Sequence, residues 1–257
     1  MKWNPRDYAQ NSNAQLKWAR ELRSRLSLHG SESILDVGCG DGKITADFAE
    51  ALPNGQVMGI DSSQEMIAYA QETYSISNLS FACVDARSLN FANQFDLIFS
   101  NAVLHWVDNH PAFLQGAYRA LNSNGRLITS CGGAGGAIDI LDTFAQIVAQ
   151  NPWHKYFPEF RNPYHFYGTT EYEPWLKAAG FNIDRLELVP KDMTHSGESG
   201  LASWFRTTWL PFTQAVPESD RDRFISEVTQ TYLAKFPLDA NGFAHVQMVR
   251  LEVEAHR

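Results

Sequence analysis

Residues 35–42 read Leu35-Asp36-Val37-Gly38-Cys39-Gly40-Asp41-Gly42, an apolar strand end carrying one acid, then glycine at every second position. Glycine lets a backbone turn tightly from strand to helix and come close to a ligand. The run Ser33–Val37 ahead of the turn predicts a short buried strand, and Ile44, Phe48 and Leu52 behind it predict a helix over 43–52. Strand, glycine turn and helix open a doubly wound α/β sheet, whose ligands sit beyond the carboxyl ends of its strands. The acid narrows the ligand. A dinucleotide site sets a pyrophosphate against its glycine turn, and a carboxylate there repels it. Asp36 suits a ligand with a positive end, such as the amino group of a methionyl moiety. The GxGxxG spacing of nicotinamide dehydrogenases fails because Lys43 stands at the third glycine position, and the GxxxxGK(S/T) phosphate loop is not formed either.

The alternation continues on both sides. Gln56–Ile60 predicts a strand ending at Asp61, with Ser62 or Ser63 capping a helix that turns Met66, Ile67 and Ala70 inward. Leu79–Val84 predicts a third strand ending at Asp85. Phe95–Phe99 predicts a fourth, buried on both faces and ending at Ser100-Asn101; a helix near 111–122 and a fifth strand, Arg126–Ser130, follow. Upstream, Leu16, Ala19, Leu22 and Leu26 predict an amphipathic helix over 12–28. Strands alternating with helices argue for a parallel sheet with right-handed crossovers.

Past residue 133 the pattern changes. A helix is predicted at 137–149, another at 170–179, a strand over Phe181–Val189, two helical patterns in 195–236, and a last strand over Ala244–His256. Residues 134–170 and 195–236 read as insertions over the sheet's carboxyl edge. Their aromatic residues, among them Trp153, Tyr164, Phe166, Trp204 and Trp209, fit a lid that excludes water.

Asp61 follows Asp36 by 25 residues and is placed to accept hydrogen bonds from two ribose hydroxyls. Asp85-Ala86 is placed to accept from an adenine amine. Each acid alone reads as well as a helix cap or a solvated charge. Three at successive strand ends, the first beside a glycine turn, read as one set.

The formal net charge is −8 over 257 residues, with Lys and Arg scattered, so a polyanion is repelled and nucleic acid is a poor partner. No run approaches the roughly 18 apolar residues of a membrane span, and Met1–Asp7 has no signal-peptide core. Cys39, Cys83 and Cys131 form no CxxC pair and read as buried reduced thiols, with no metal site. A soluble cytoplasmic protein is expected, as a monomer or homodimer that binds neither nucleic acid nor membrane.

The ordered set Leu35–Gly42, Gly59–Ser63 with Met66-Ile67, Asp85-Ala86, Phe95–Ile98 with Asn101 and His105-Trp106, Ala120–Leu127 and Trp175–Phe181 resembles the class I S-adenosylmethionine-dependent methyltransferases. Trp3-Asn4-Pro5, Tyr8, Asn101-Ala102 through Trp106, Phe236-Pro237-Leu238 and Asn241-Gly242 further resemble the trans-aconitate 2-methyltransferase family, which methylates a carboxylate of a small polyacid. The resemblance implies a Rossmann-like methyltransferase fold: α/β, doubly wound, with a mostly parallel seven-stranded sheet, an antiparallel last strand and a helical, aromatic lid. It implies one methyltransferase domain over 1–257. An N-terminal helical cap occupies 1–30, the cofactor-binding core 31–133, the lid insertions 134–170 and 195–236, and the closing strands 181–190 and 244–256.

By the same resemblance the cofactor is S-adenosylmethionine and the partner a small-molecule methyl acceptor. Gly38 and Gly40, beside Asp36, pass under the methionyl part, and Asp61 takes the ribose, Asp85 the adenine amine and Asn101 the methionyl end. Ser62, Met66 and Ala86 pack around the adenosine. Tyr8 and Trp3 either close over the cofactor or pin the N-terminal helix. A carboxylate acceptor with pKa about 4 is already ionised at neutral pH and needs no base. Alignment and dehydration then carry the rate, and alignment alone supplies about 7–11 kcal/mol. Arg161 and Arg206 are candidates to hold the acid, or are surface charges. Trp106 packs on the acceptor and His105 donates a hydrogen bond, or His105 is a packed structural residue. With a phenol, amine or quinone-ring acceptor His105 becomes the base. A cofactor-binding protein that methylates nothing is the reading outside catalysis.

Overall fold

The structure, a computed structural model, describes Pro5 and residues 13–257. The calls on Trp3 and Tyr8 lie outside the described residues. Seven strands form one sheet: β1 (Ser33–Val37), β2 (Gln56–Asp61), β3 (Leu79–Cys83), β4 (Phe95–Asn101), β5 (Leu121–Gly132), β6 (Asn182–Ser196) and β7 (Phe243–His256). Their order is β3-β2-β1-β4-β5-β7-β6. β1 to β5 pair in parallel, as strands joined by helices must, and β7 runs antiparallel to β5. β1 lies between β2 and β4, so the crossovers diverge there and a crevice opens at its carboxyl end.

Alternation along β1 decides which way each side chain goes. Ile34 packs with Leu97 and Phe99 of β4, with Ala19 and Leu22 of α1 (Asn13–Ser24) and with Phe48 and Ala49 of α2 (Lys43–Ala51). Leu35 and Val37 face Phe113, Leu114 and Ala117 of α4 (His110–Ala120), in a core that also holds Tyr172 and Leu176 of α6 (Thr169–Ala179). Asp36 shares Ile34's face, beside α2. Between β2 and β3 runs α3 (Gln64–Thr73), capped by Ser63, whose hydroxyl accepts from the Met66 N–H at 3.2 Å.

Three details differ from expectation. β6 runs on through Pro190 to Ser196; at the edge of the sheet a residue without an N–H removes no needed ladder bond. Residues 195–236 hold three helices, α7 (Gly197–Thr208), α8 (Leu210–Thr213) and α9 (Glu218–Lys235), divided at Pro211 and Pro217. Cys83 is exposed, because β3 is the opposite edge strand, whereas Cys39 and Cys131 are buried.

The described residues divide into two compact units. One holds 13–134, 164–189 and 250–257, with the parallel strands and the glycine turn. The other holds 135–163 and 190–249, including α5 (Ile138–Val148) and α7 to α9. Its interior is aromatic. Phe144 stacks on Phe212 with ring centroids 4.2 Å apart, and the indole N–H of buried Trp153 donates to Glu227 at 2.8 Å. Among the described helices none is long and apolar enough to cross a membrane.

Candidate cofactor and acceptor site

The chain passes from β1 to α2 through Gly38 (φ +76°), Gly40 (φ +55°) and Gly42 (φ +83°), all left-handed. The N–H groups of Gly38 and Cys39 both donate to the Ile60 carbonyl, at 2.7 and 2.9 Å, which pins the turn to the end of β2. Gly40 donates to Asp61 Oδ2 at 3.1 Å, and Asp61 Oδ1 accepts from the Ser63 N–H at 2.8 Å. Asp61 therefore ties the glycine turn to the start of α3. A Cβ on Gly38 would stand 2.1 Å from Val103 Cγ2, so glycine there is what lets the segment after β4 close on the turn. That segment leaves β4 through Ala102 at φ +60°, a strained conformation for alanine of the kind that gathers at functional sites.

Asp36 is only 3% exposed, and its Oδ2 accepts from Thr45 Oγ1 at 2.7 Å. Burial pushes its carboxyl up to about 7, the negative charges of Asp61 and Asp41 add to the rise, and the Thr45 hydrogen bond opposes it. Burial also raises the Asp61 carboxyl. Asp36 lines a cleft with Leu16, Ala19, Gly38, Gly40 and Asn101. A buried acid that resists ionisation is stabilised by a positive group beside it, so these residues fit a ligand with a cationic end.

Asp85 is more firmly held than its sequence position implies. Its Oδ1 accepts from the Arg87 N–H at 2.8 Å, capping the short turn Ala86–Ser88. The Arg87 guanidinium grips both of its oxygens, at 3.0 Å and 2.6 Å, and reaches Asp108 at 3.1 Å. Those bonds hold the Asp85 carboxyl below the usual carboxylate range. An adenine amine would share oxygens already oriented by Arg87. Ala86 and Met66 are buried nearby in sequence to these acids, and Ser62 is exposed.

On the far side of β4, His105 and Trp106 sit in a short helical turn, Leu104–Trp106. His105 Nδ1 lies 3.3 Å from the Gly132 N–H, which donates to it, so the ring's proton belongs on Nε2. Burial pushes His105 down to about 3, helped by the positive charge of Arg250 and by His110. It is a fixed neutral donor and a poor base. Around it stand Trp106, Phe166 and Tyr164, with the Trp106 and Tyr164 rings 4.6 Å apart.

Arg161 and Arg206 are exposed and belong to the other unit, where Arg206 lines a groove with Glu198 and Asp222. A buried guanidinium at the sheet's carboxyl edge is that of Arg250 of β7, 2% exposed. It donates to Ser130 Oγ at 3.0 Å, to the Ser130 carbonyl at 2.5 Å and to Asn101 Oδ1 at 2.9 Å, and lies 5.1 Å from the Trp18 ring centroid. Sequence reasoning passes over Arg250; the one available signal is a charged residue flanked by Val249 and Leu251. Among the described residues no cluster of His, Cys, Asp or Glu is arranged to hold a metal ion.

A glycine turn beside buried acids lies at the switch point of the β3-β2-β1-β4-β5-β7-β6 sheet, a setting that suits a ligand with a cationic end better than a phosphate. A family model described as a methyltransferase domain matches residues 28–180; the chain belongs to that family and is a class I S-adenosylmethionine-dependent methyltransferase. Over its full length it is similar to trans-aconitate 2-methyltransferase of Escherichia coli, at 28% identity over 260 residues, covering 99% of this chain and 98% of the relative. A methyltransferase of Schizosaccharomyces pombe, itself uncharacterised, is 28% identical over 263 residues, with 99% and 98% covered. Among solved structures, an S-adenosylmethionine-dependent methyltransferase of Mesorhizobium loti matches with a TM-score of 0.54 at 19% identity, covering 93% of this chain and 96% of that one.

Proposed function

We propose that this methyltransferase acts on a carboxylate oxygen of a small organic acid of the trans-aconitate kind. The observation that carries the reading is His105: its Nδ1 is occupied by the Gly132 N–H and its basicity is suppressed to about 3, so the ring supplies a hydrogen bond and takes up no proton near neutral pH. A carboxylate acceptor needs no base, since it is ionised well below pH 7. A phenol or ammonium acceptor must lose a proton, and the histidine best placed for that task is unfit for it. The full-length relatives named trans-aconitate 2-methyltransferase support the same substrate class.

S-adenosylmethionine supplies a methyl group on a sulfonium. In this reading Gly38 and Gly40 lie under the methionyl part, where Asp36 answers its ammonium. Asp61 binds the ribose and Asp85 the adenine amine, with Ser62, Met66 and Ala86 around the adenosine. Trp106 packs on the acceptor while His105 hydrogen-bonds it, which holds the acceptor oxygen in line and sheds its water. Arg161 and Arg206 are candidates for the acceptor's remaining carboxylates. Methyl transfer from labelled cofactor to a panel of polycarboxylates, acyl thioesters, phenols and amines tests this. Turnover is expected with a polycarboxylate, at a rate that with saturating cofactor is nearly flat from about pH 6 to 9, where neither the acceptor nor His105 titrates. Turnover confined to a phenol or amine, with a rate that falls as a group titrates near pH 6.5, overturns it.

A further inference from the structure

Behind the turn that carries His105 and Trp106 lies a second histidine, with no part in the chemistry proposed above. His110 opens α4 and is 1% exposed. Its Nδ1 lies 2.6 Å from the Tyr172 hydroxyl of α6, and its ring meets Tyr167 and Tyr172 edge to face, with centroids 4.8 and 5.4 Å apart. Burial pulls the ring down to about 4 and His165 adds to the fall, while the carbonyls of Leu104 and Val107 and the charge of Asp108 favour a proton on it. At neutral pH the imidazole therefore holds a single proton, and the nitrogen that carries it decides what the ring can hold.

The surroundings select Nε2. This atom is buried and, among the described residues, closes no hydrogen bond of good geometry. Nδ1 is occupied by Tyr172, so Nε2 is the nitrogen left to answer the Leu104 and Val107 carbonyls. A proton on Nδ1 would set a bare nitrogen lone pair against those oxygens. A proton on Nε2 puts a donor toward them and leaves Nδ1 to accept from the Tyr172 hydroxyl, so both ends of the ring agree. Leu104 and Val107 bracket His105-Trp106 in the chain. The same turn is restrained from two other sides: the His105 carbonyl accepts from the His165 N–H at 2.8 Å, and His105 Nδ1 accepts from the Gly132 N–H at 3.3 Å.

We propose that His110, oriented by Tyr172, is a positioning residue for the methyl acceptor: its Nε2–H restrains the carbonyls on either side of His105-Trp106 and so sets the angle at which those two side chains meet the acceptor. The inference rests on the acceptor lying against His105 and Trp106. Neither His110 nor Tyr172 lines the cleft that holds Asp36, so the pair acts on acceptor placement and leaves cofactor binding alone.

Tyr172→Phe, His110→Phe and His110→Gln test it. Phe at 172 keeps the packed ring and removes only the donor, whereas Gln at 110 keeps an N–H near the place of Nε2. Long-range 1H–15N spectra, which need no acceptor and use His110→Gln as the assignment control, should show wild-type His110 protonated on Nε2 alone and lose that single tautomer in Tyr172→Phe. With the panel compound turned over fastest, trans-aconitate being tried first, kcat/KM for the acceptor should fall about tenfold in Tyr172→Phe and at least as far in His110→Phe, the scale of one lost hydrogen bond, with part recovered in His110→Gln. Affinity for S-adenosylhomocysteine, read by calorimetry, should match the wild type in all three. A pair that serves packing alone would lower the melting temperature and leave the acceptor kinetics of the folded protein unchanged.

The proposal is overturned by a wild-type proton on Nδ1, by folded Phe variants that turn over like the wild type, or by His110→Gln faring no better than His110→Phe. If His110→Phe does not fold, Tyr172→Phe and the spectra still decide. Should the acceptor itself be misplaced, His105→Gln and Trp106→Ala would leave acceptor kinetics untouched as well; if only the role of His110 is wrong, those two variants are impaired while Tyr172→Phe is not.

Discussion

Replacing Asp36 by Asn tests the charge of the cleft most directly. Burial, with Asp61 and Asp41 nearby, carries the Asp36 carboxyl from 3.8 to about 7. Three pKa units at about 1.4 kcal/mol each make the ionised side chain roughly 4 kcal/mol less favourable in the folded chain than in water. Because the folded value lies above the unfolded one, the folded chain holds the extra proton between them. The ligand-free protein therefore loses stability as pH rises through that window, and the whole penalty stands above about pH 7. A cationic ligand end reverses the balance by favouring the carboxylate. Binding at about pH 6 should release close to one proton, and wild-type affinity should climb by up to about tenfold per pH unit before levelling near pH 7.

Calorimetry with S-adenosylhomocysteine, in two buffers of different ionisation heat between about pH 5.5 and 7.5, reads both quantities. Asp36→Asn should lose the slope and the proton release, and above pH 7 it should bind more weakly by about 1.5–3 kcal/mol, the scale of a hydrogen bond to a charged group. Without ligand the same variant should melt higher than the wild type at about pH 8, since Thr45 Oγ1 keeps an oxygen to donate to and the buried charge is gone. The reasoning is refuted if the slope and the released proton survive in the Asn variant.

Two further outcomes are expected. Gly38→Ala places a methyl 2.1 Å from Val103 Cγ2 at φ +76°; it should cost about 1–3 kcal/mol in urea denaturation and abolish cofactor binding, with Val103→Ala in the same chain recovering part of the stability but not the binding. Glu252 is buried, which alone would raise its carboxyl, yet its bonds to Arg25 at 2.7 Å and Arg185 at 2.6 Å hold it below the usual range. The stability it contributes is therefore present above the unfolded value of 4.5 and is lost as pH falls through the lowered folded value. Glu252→Gln should cost about 1–3 kcal/mol near pH 7, reduced from a fully buried pair because both arginines are partly solvated, and its melting temperature should converge on that of the wild type in acid.

The glycine turn and the acids at the ends of β1, β2 and β3 were legible because each depends on residues within a dozen positions: an apolar run, a turn residue that tolerates positive φ, an amphipathic helix behind it. Partners across the sheet were not. Arg250 meets Asn101 over a separation of 149 residues, only because β7 enters between β5 and β6 and sets Gly132 opposite Arg250. Register of that kind is decided by the packing of whole strands and leaves no local mark. Asp85 was legible as a strand-end acid, but not that Arg87, two residues on, would take both of its oxygens. Pro190 stopped the reading of β6 because a proline argues against a strand in the middle of a sheet, and nothing local announces that β6 is an edge.

Three disagreements between local rules and the fold fall in one place. A carboxylate on an inward strand position, an alanine in the left-handed region and a guanidinium inside a strand each oppose folding when taken singly. Asp36, Ala102 and Arg250 all lie at the carboxyl edge of β1, β4 and the strand beyond β5. Residues that conflict with local preference persist where surrounding structure or a ligand over-determines them. Thr45 and the Ser130–Asn101 ladder restrain two of the three from the protein side. What remains uncompensated at Asp36 is charge, and a ligand that brings a positive end into this cleft completes a structure that the chain leaves electrostatically short.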